Sequence, residues 1–147
     1  MFKISVMTGK LAGIGGINTN PLTNTFCQRM EKTDSICKDC YSCSMLRGLR
    51  KNCEPAWERN SKLFSTTLID KKDIPTIPNA FVRYHAHGEL INEIHFQNFM
   101  AIAKKNSHCK FSLFTKRTDL TKSMKIPANV TMIYSNPKVD NVMVNVL

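Results

Sequence analysis

Between Phe2 and Met7 apolar Phe2, Ile4 and Val6 alternate with polar Lys3 and Ser5, the two-residue period of a half-buried strand. The run that follows, Gly9-Lys10-Leu11-Ala12-Gly13-Ile14-Gly15-Gly16 and then Asn18-Thr19-Asn20-Pro21, is dense in residues that break regular structure and reads as a flexible connection. A glycine-rich loop can cradle phosphate, but the P-loop ending in Gly-Lys-Ser/Thr is absent here. Further on, Trp57, Ser61, Phe64 and Leu68 recur close to the helical period behind Pro55, a residue suited to a first turn. A helix is predicted over Pro55 to Leu68 with that face in the core, preceded by a basic candidate helix from Ser42 to Asn52. Lys71 to Asn79 is a proline-punctuated connector.

The second half repeats a simple rhythm. Ala80 to Ala86, rich in Phe, Val and Tyr, predicts a second strand. Ile91, Ile94, Phe99 and Ile102 predict an amphipathic helix from Leu90 to Lys104, closed by Asn106-Ser107. Cys109 to Thr115 follows as a third strand, Thr118 to Met124 as a short helix, Val130 to Ser135 as a fourth strand and Asn141 to Leu147 as a fifth. Strands separated by helix-length segments are the pattern of β-α-β units around a parallel sheet. The expected fold is therefore one α/β domain over residues 1–147, a mostly parallel sheet of about five strands with outer helices. A cysteine-rich loop at about residues 24–54 is inserted into it.

The chain's 147 residues suit a single domain that needs no metal in order to fold. Lysine and arginine total 21 against 11 acidic residues, a formal charge of +10, which favours phosphate-rich partners. Arg47, Arg50 and Lys51, grouped beside the cysteine loop, are the candidate nucleic-acid contacts; Lys116-Arg117 is a second basic pair. The first ten residues contain no apolar run of signal-peptide length, and no window of about 18 apolar residues predicts a membrane span. The expectation is a cytosolic, thiol-reduced protein, where clustered cysteines bind metal more readily than they form disulfides.

Cys27, Cys37, Cys40 and Cys43 fall in one short polar segment. A two-residue gap such as Cys37-Lys38-Asp39-Cys40 brings two thiolates onto one centre, and thiolates are the ligands that zinc and iron–sulfur clusters select. Three ligands leave a cluster iron open, whereas a fourth, Cys43 or Cys53, closes the shell as in a structural zinc site. Cys53 stands at a helix start as either a remote ligand or a mildly activated thiol, and Cys109 opens a strand as a small buried hydrophobe. In a parallel sheet ligands sit beyond the carboxyl ends of the strands. That rule gathers the cysteines with His85, His87, Gly88 and Glu89 after the second strand, Lys116 and Arg117 after the third, and Ser135 after the fourth. His85 reads as a hydrogen-bonded sheet residue, and Glu89 either caps the following helix or faces the ligand.

The segments Asn24–Met30, Cys37–Tyr41, Glu58–Ser61, Arg83–Leu90 and Phe114–Arg117 together resemble those of a group of bacteriophage proteins, the gene-product-88-like family. More distantly, the arrangement is similar to radical-SAM proteins, partial or full α/β barrels. That similarity implies a [4Fe-4S] cluster on Cys27, Cys37 and Cys40, Tyr41 as the adjoining aromatic, and Gly88-Glu89 meeting the amino group of S-adenosylmethionine. It also implies a partial-barrel-like fold with activity left open; the strand-end rule adds Lys116 and Ser135 to the expected cofactor mouth. Two other readings stand beside it. One is a closed four-cysteine zinc site that braces a basic surface. The other is a phage protein without chemistry that binds nucleic acid, or a host protein–nucleic acid complex, and so inhibits host defence in the host cytoplasm.

Overall fold

The computed structural model describes residues 1–122 and 124–137. Its sheet comprises β1 (Ser5–Val6), β2 (Gly15–Ile17), β3 (Phe81–Tyr84), β4 (Lys110–Thr115) and β5 (Val130–Tyr134), in the spatial order of the sequence. β1 lies antiparallel to β2, and β2 through β5 are parallel. A parallel sheet wound in strict sequence order has no switch point of the doubly wound kind, so its ligand end is the row of loops after β2, β3, β4 and β5. The sheet is open, because β1 and β5 do not pair. The expected α/β class and mostly parallel sheet are thus observed.

Two expectations about strands change. The strand expected over Phe2 to Met7 shrinks to β1 at the sheet edge. Phe2 still reaches the core, whereas Val6 is 86% exposed. The supposedly flexible glycine run supplies β2, a wholly buried strand. Glycine allows close approach there. A Cβ on Gly15 would stand 2.9 Å from Ile4 Cγ2, and one on Gly16 2.9 Å from Met7 Cε. The strand expected at Asn141 to Leu147 lies outside the described residues.

The helices are α1 (Thr25–Glu31), α2 (Tyr41–Arg47), α3 (Glu54–Thr66), α4 (Glu93–Lys105) and α5 (Thr118–Thr121). The basic helix expected to reach Asn52 stops at Arg47 before Gly48, and a 3-10 turn, Lys51–Cys53, leads into α3. Trp57, Ser61 and Phe64 form the buried face of α3 as expected, but Leu68 lies beyond its end and is 60% exposed. α4 begins three residues later than the apolar pattern suggests, because the Asn92 side chain accepts the His95 N–H and fixes the start.

Tyr84 is the centre of the core. Its ring stacks at 4.0 Å on Phe99 and at 4.8 Å on Phe111, and its hydroxyl donates to the Phe99 carbonyl at 2.7 Å. Fully buried side chains of this kind each contribute about 1.5–3 kcal/mol through apolar burial. Cys109 lies in the same core, fully buried. α3 packs on α4, with the Phe64 ring parallel to His95 at 5.5 Å. Among the described residues no helix is long and apolar enough to cross a membrane.

Candidate metal centre

The segment after β2 is tied down onto α3. Asn60 donates to the Asn18 carbonyl at 2.8 Å, and Ser61 Oγ accepts the Asn20 N–H at 2.8 Å. Glu58 takes hydrogen bonds from the Asn20 amide and the Thr23 hydroxyl, each 2.7 Å. The Glu58–Ser61 segment therefore docks the Asn18–Pro21 crossing rather than reaching the cysteines itself. Next, Asn24 caps α1 by accepting the N–H groups of Phe26 and Cys27, and its amide donates to the Glu89 carbonyl at 3.1 Å. One side chain thus fixes both the start of the helix bearing Cys27 and its distance from the loop after β3. An asparagine before a helical turn is a recognisable cap, but its second bond, to a residue far along the chain, has no sequence signal.

Cys37 sits in a 3-10 turn, Ile36–Asp39, capped by Ser35, whose side chain accepts the Cys37 N–H. The same turn is tied to the chain after β5 by the Ile36 N–H donating to the Pro137 carbonyl at 3.1 Å. Cys40 stands at the N-terminus of α2. On the opposite wall, the loop after β3 carries Gly88 and Glu89. Cys27, Cys37, Cys40, Gly88, Glu89 and Lys116 all line one cavity of about 100 Å³.

Glu89 is not a helix cap, since α4 starts four residues later under Asn92. Its carboxylate accepts the Leu90 N–H at 2.8 Å and the Thr115 hydroxyl at 2.5 Å on one oxygen, and the Lys116 N–H at 2.8 Å on the other. It thereby clamps the loop after β3 to the end of β4. Burial raises its pKa, and these three hydrogen bonds oppose the rise. A carboxylate has about four lone-pair sites, so one is left for the cavity. Arg117 reinforces the same junction: it reaches the Leu90 and Ile91 carbonyls, pairs with Asp119 at 2.9 Å and covers the Phe26 ring at 4.9 Å.

Burial pushes the Cys27 thiol up to about 12, and the neighbouring Glu89, Cys40 and Cys37 push the same way while Lys116 opposes. Cys37 is also raised by burial. Cys40 is lowered, first by a hydrogen bond from the Cys43 thiol and then by the Cys43 and Ser42 N–H groups. Among the described residues Lys116 is the one cation lining the cavity, against two carboxylates and three thiols. Ionising those thiols together there calls for a cation.

The other candidate residues lie elsewhere. Cys43 is on the buried face of α2 beside Leu46, each 1% exposed; it does not line the cavity, though its thiol reaches Cys40, which does. Cys53 opens onto a different cavity near Trp57, and Ser135 donates its N–H to the Thr115 carbonyl at 2.9 Å, extending the ladder past β5. Arg47 is engaged by Glu31 through two bonds of 2.9 and 3.0 Å, while Arg50 lines the cavity with Cys53 and Lys51 is exposed. His85 is hydrogen-bonded to the sheet through its backbone, its N–H donating to the Ile17 carbonyl of β2 at 3.1 Å, but not through its ring. It follows β3 in a left-handed conformation, φ 61°, and neither ring nitrogen has a partner among the described residues.

Among the described residues no group of three His, Cys, Asp or Glu side chains is placed to hold one metal ion. A tetrahedral zinc with bonds of about 2.3 Å needs sulfurs roughly 3.8 Å apart. A polynuclear cluster spreads its thiolates more widely, and three cysteines around one shared cavity suit that donor chemistry.

A family model described as Gene product 88 matches residues 5–144. No curated protein and no solved structure matches, and the expected similarity to radical-SAM proteins finds no support in these comparisons. With the match spanning nearly all of the chain, from β1 past β5, the protein belongs to the gene product 88 family of bacteriophage proteins.

Proposed function

We propose that the cavity at the carboxyl edge holds an iron–sulfur cluster through Cys27, Cys37 and Cys40. The observation that carries this reading is the convergence of three thiols from α1, a 3-10 turn and the start of α2 on one cavity walled by Glu89 and Lys116. Three thiolates leave one cluster iron open. Glu89, with one acceptor site spare, and the Lys116 ammonium would meet the amino and carboxylate groups of an amino-acid-type ligand such as that end of S-adenosylmethionine. A closed four-cysteine zinc site would need Cys43, whose buried thiol already hydrogen-bonds Cys40, to turn from the packed face of α2. A cluster of this kind would need the reduced cytoplasm of the host cell.

Elemental and sulfide analysis of protein purified without oxygen and reconstituted with iron and sulfide tests the reading. Iron and sulfide in comparable, stoichiometric amounts support it. One zinc per chain without sulfide, or no bound metal, overturns it.

A further inference from the structure

A second and larger cavity, about 370 Å³, lies on the other side of the wall formed by Tyr41-Ser42 and His87-Gly88. Ser42 and Gly88 face the cysteines; Tyr41 and His87 face this one. Its volume falls in the range of small-molecule sites, about 300–1,000 Å³. Its lining has two features. Three π systems are stacked in series, with Tyr41 on His87 at 5.7 Å and 22° and His87 on Trp57 at 4.9 Å and 20°. The Tyr41 end of the stack is 67% exposed, so a planar ring can extend it. Arg50 and Arg83 supply positive charge, and none of the described lining residues is acidic.

The state of the two arginines and the histidine narrows the ligand class. Arg83 has its guanidinium 5.0 Å over the Phe114 ring, which fixes its direction, and its buried Nε has no partner among the described residues. Burial, with Arg50 and Arg83 adding to it, pulls the His87 pKa down to about 4. His87 is therefore a neutral stacking surface near neutral pH. Its Nδ1 is engaged by Ser42 Oγ at 2.9 Å, which holds the ring in the stack. The charge to be met in this cavity is that of a ligand anion, and guanidinium groups suit phosphate oxygens.

We propose that this cavity binds a nucleotide, its base stacked on Tyr41 and its phosphate held between Arg50 and Arg83. The proposal does not depend on metal in the neighbouring cavity. Trp57, the only tryptophan of the chain, lies in the lining and reports on occupancy.

Adenosine monophosphate, adenosine, inorganic phosphate and a short oligothymidylate are titrated into the protein as purified, with Trp57 emission as the readout. A saturable change is expected for the monophosphate, with affinity at least about tenfold weaker for adenosine and for phosphate, each of which keeps only half the recognition. Arg50→Gln, an exposed change, is expected to weaken the monophosphate by about tenfold with the circular dichroism unchanged. Tyr41→Leu should weaken it as well, whereas Arg47→Ala, whose guanidinium is engaged by Glu31, should leave it alone. Oligothymidylate binding much tighter than the monophosphate identifies the nucleotide as part of a strand; equal affinity identifies a free nucleotide. No saturable change with the monophosphate or the oligonucleotide, or equal affinity in Arg50→Gln and wild type, overturns the proposal.

Discussion

Gly88 lines the cysteine cavity and packs closely against Thr19, and Gly88→Ala measures what that approach is worth. Its φ is +110°, a conformation that side-chain-bearing residues rarely adopt. A Cβ there would overlap Thr19 Oγ1, stand 2.8 Å from the Thr19 carbonyl oxygen and 3.1 Å from the Thr19 nitrogen. Thr19 is fully buried, and its N–H donates to the His87 carbonyl at 3.2 Å, so backbone must move on one side or the other. Backbone strain at such a φ costs roughly 1–3 kcal/mol and overpacking a further 1–3 kcal/mol, giving an expected loss of about 2–6 kcal/mol. Urea unfolding followed by circular dichroism reads the loss directly. Adding Thr19→Ala removes the hydroxyl overlap and leaves the carbonyl contact, so the double variant should regain only part of it. A stability within about 0.5 kcal/mol of wild type for Gly88→Ala alone would refute the packing argument, since that is the ordinary effect of a surface change.

Acid should weaken the fold before its carboxylates titrate. Burial holds the His85 pKa down at about 3 and His95 well below its usual value, so both are neutral in the native state. In the unfolded chain each takes a proton below about pH 6.5, so their stability contribution is complete above that pH and shrinks as pH falls towards 3. The slope approaches about 1.4 kcal/mol per unit for each histidine; stability unchanged between pH 7 and 5 would contradict this. Asn98→Ala should cost about 2–4 kcal/mol in the same unfolding assay, because it strands the Phe64 and Thr67 carbonyls and the Ile69 N–H, each bonded at 2.9 Å. Arg47→Ala should change stability by less than about 1 kcal/mol, its pair with Glu31 being exposed to solvent.

The expected site residues were recognisable to different degrees, for physical reasons. Cys27, Cys37, Cys40, Gly88, Glu89 and Lys116 were expected near one another because each follows a strand of a parallel sheet, and the cavity they line is where that rule puts them. Cys43 does not line the cavity, although its thiol reaches Cys40, because helical periodicity turns it inward. Three residues before Leu46, it shares the face of α2 that packs inward. β2 was hidden because glycine reads as a breaker, whereas here its missing side chain is what lets Ile4 and Met7 close over the strand. The dual role of Glu89 was half visible. Its place beside the ligand end followed from topology, but its clamp on Thr115 and Lys116 depends on a long-range register that one sequence does not encode locally.

The central claim is that three cysteines, and not the fourth, hold a cluster at the carboxyl edge. It is tested most directly by reconstituting Cys27→Ser, Cys37→Ser, Cys40→Ser and Cys43→Ser with iron and sulfide without oxygen. Visible absorbance and bound iron are then compared with the wild type. Each of the first three is expected to lose the cluster while Cys43→Ser keeps iron and sulfide at wild-type stoichiometry. Retention of the full complement in Cys27→Ser, or its loss in Cys43→Ser with the fold intact by circular dichroism, would contradict it.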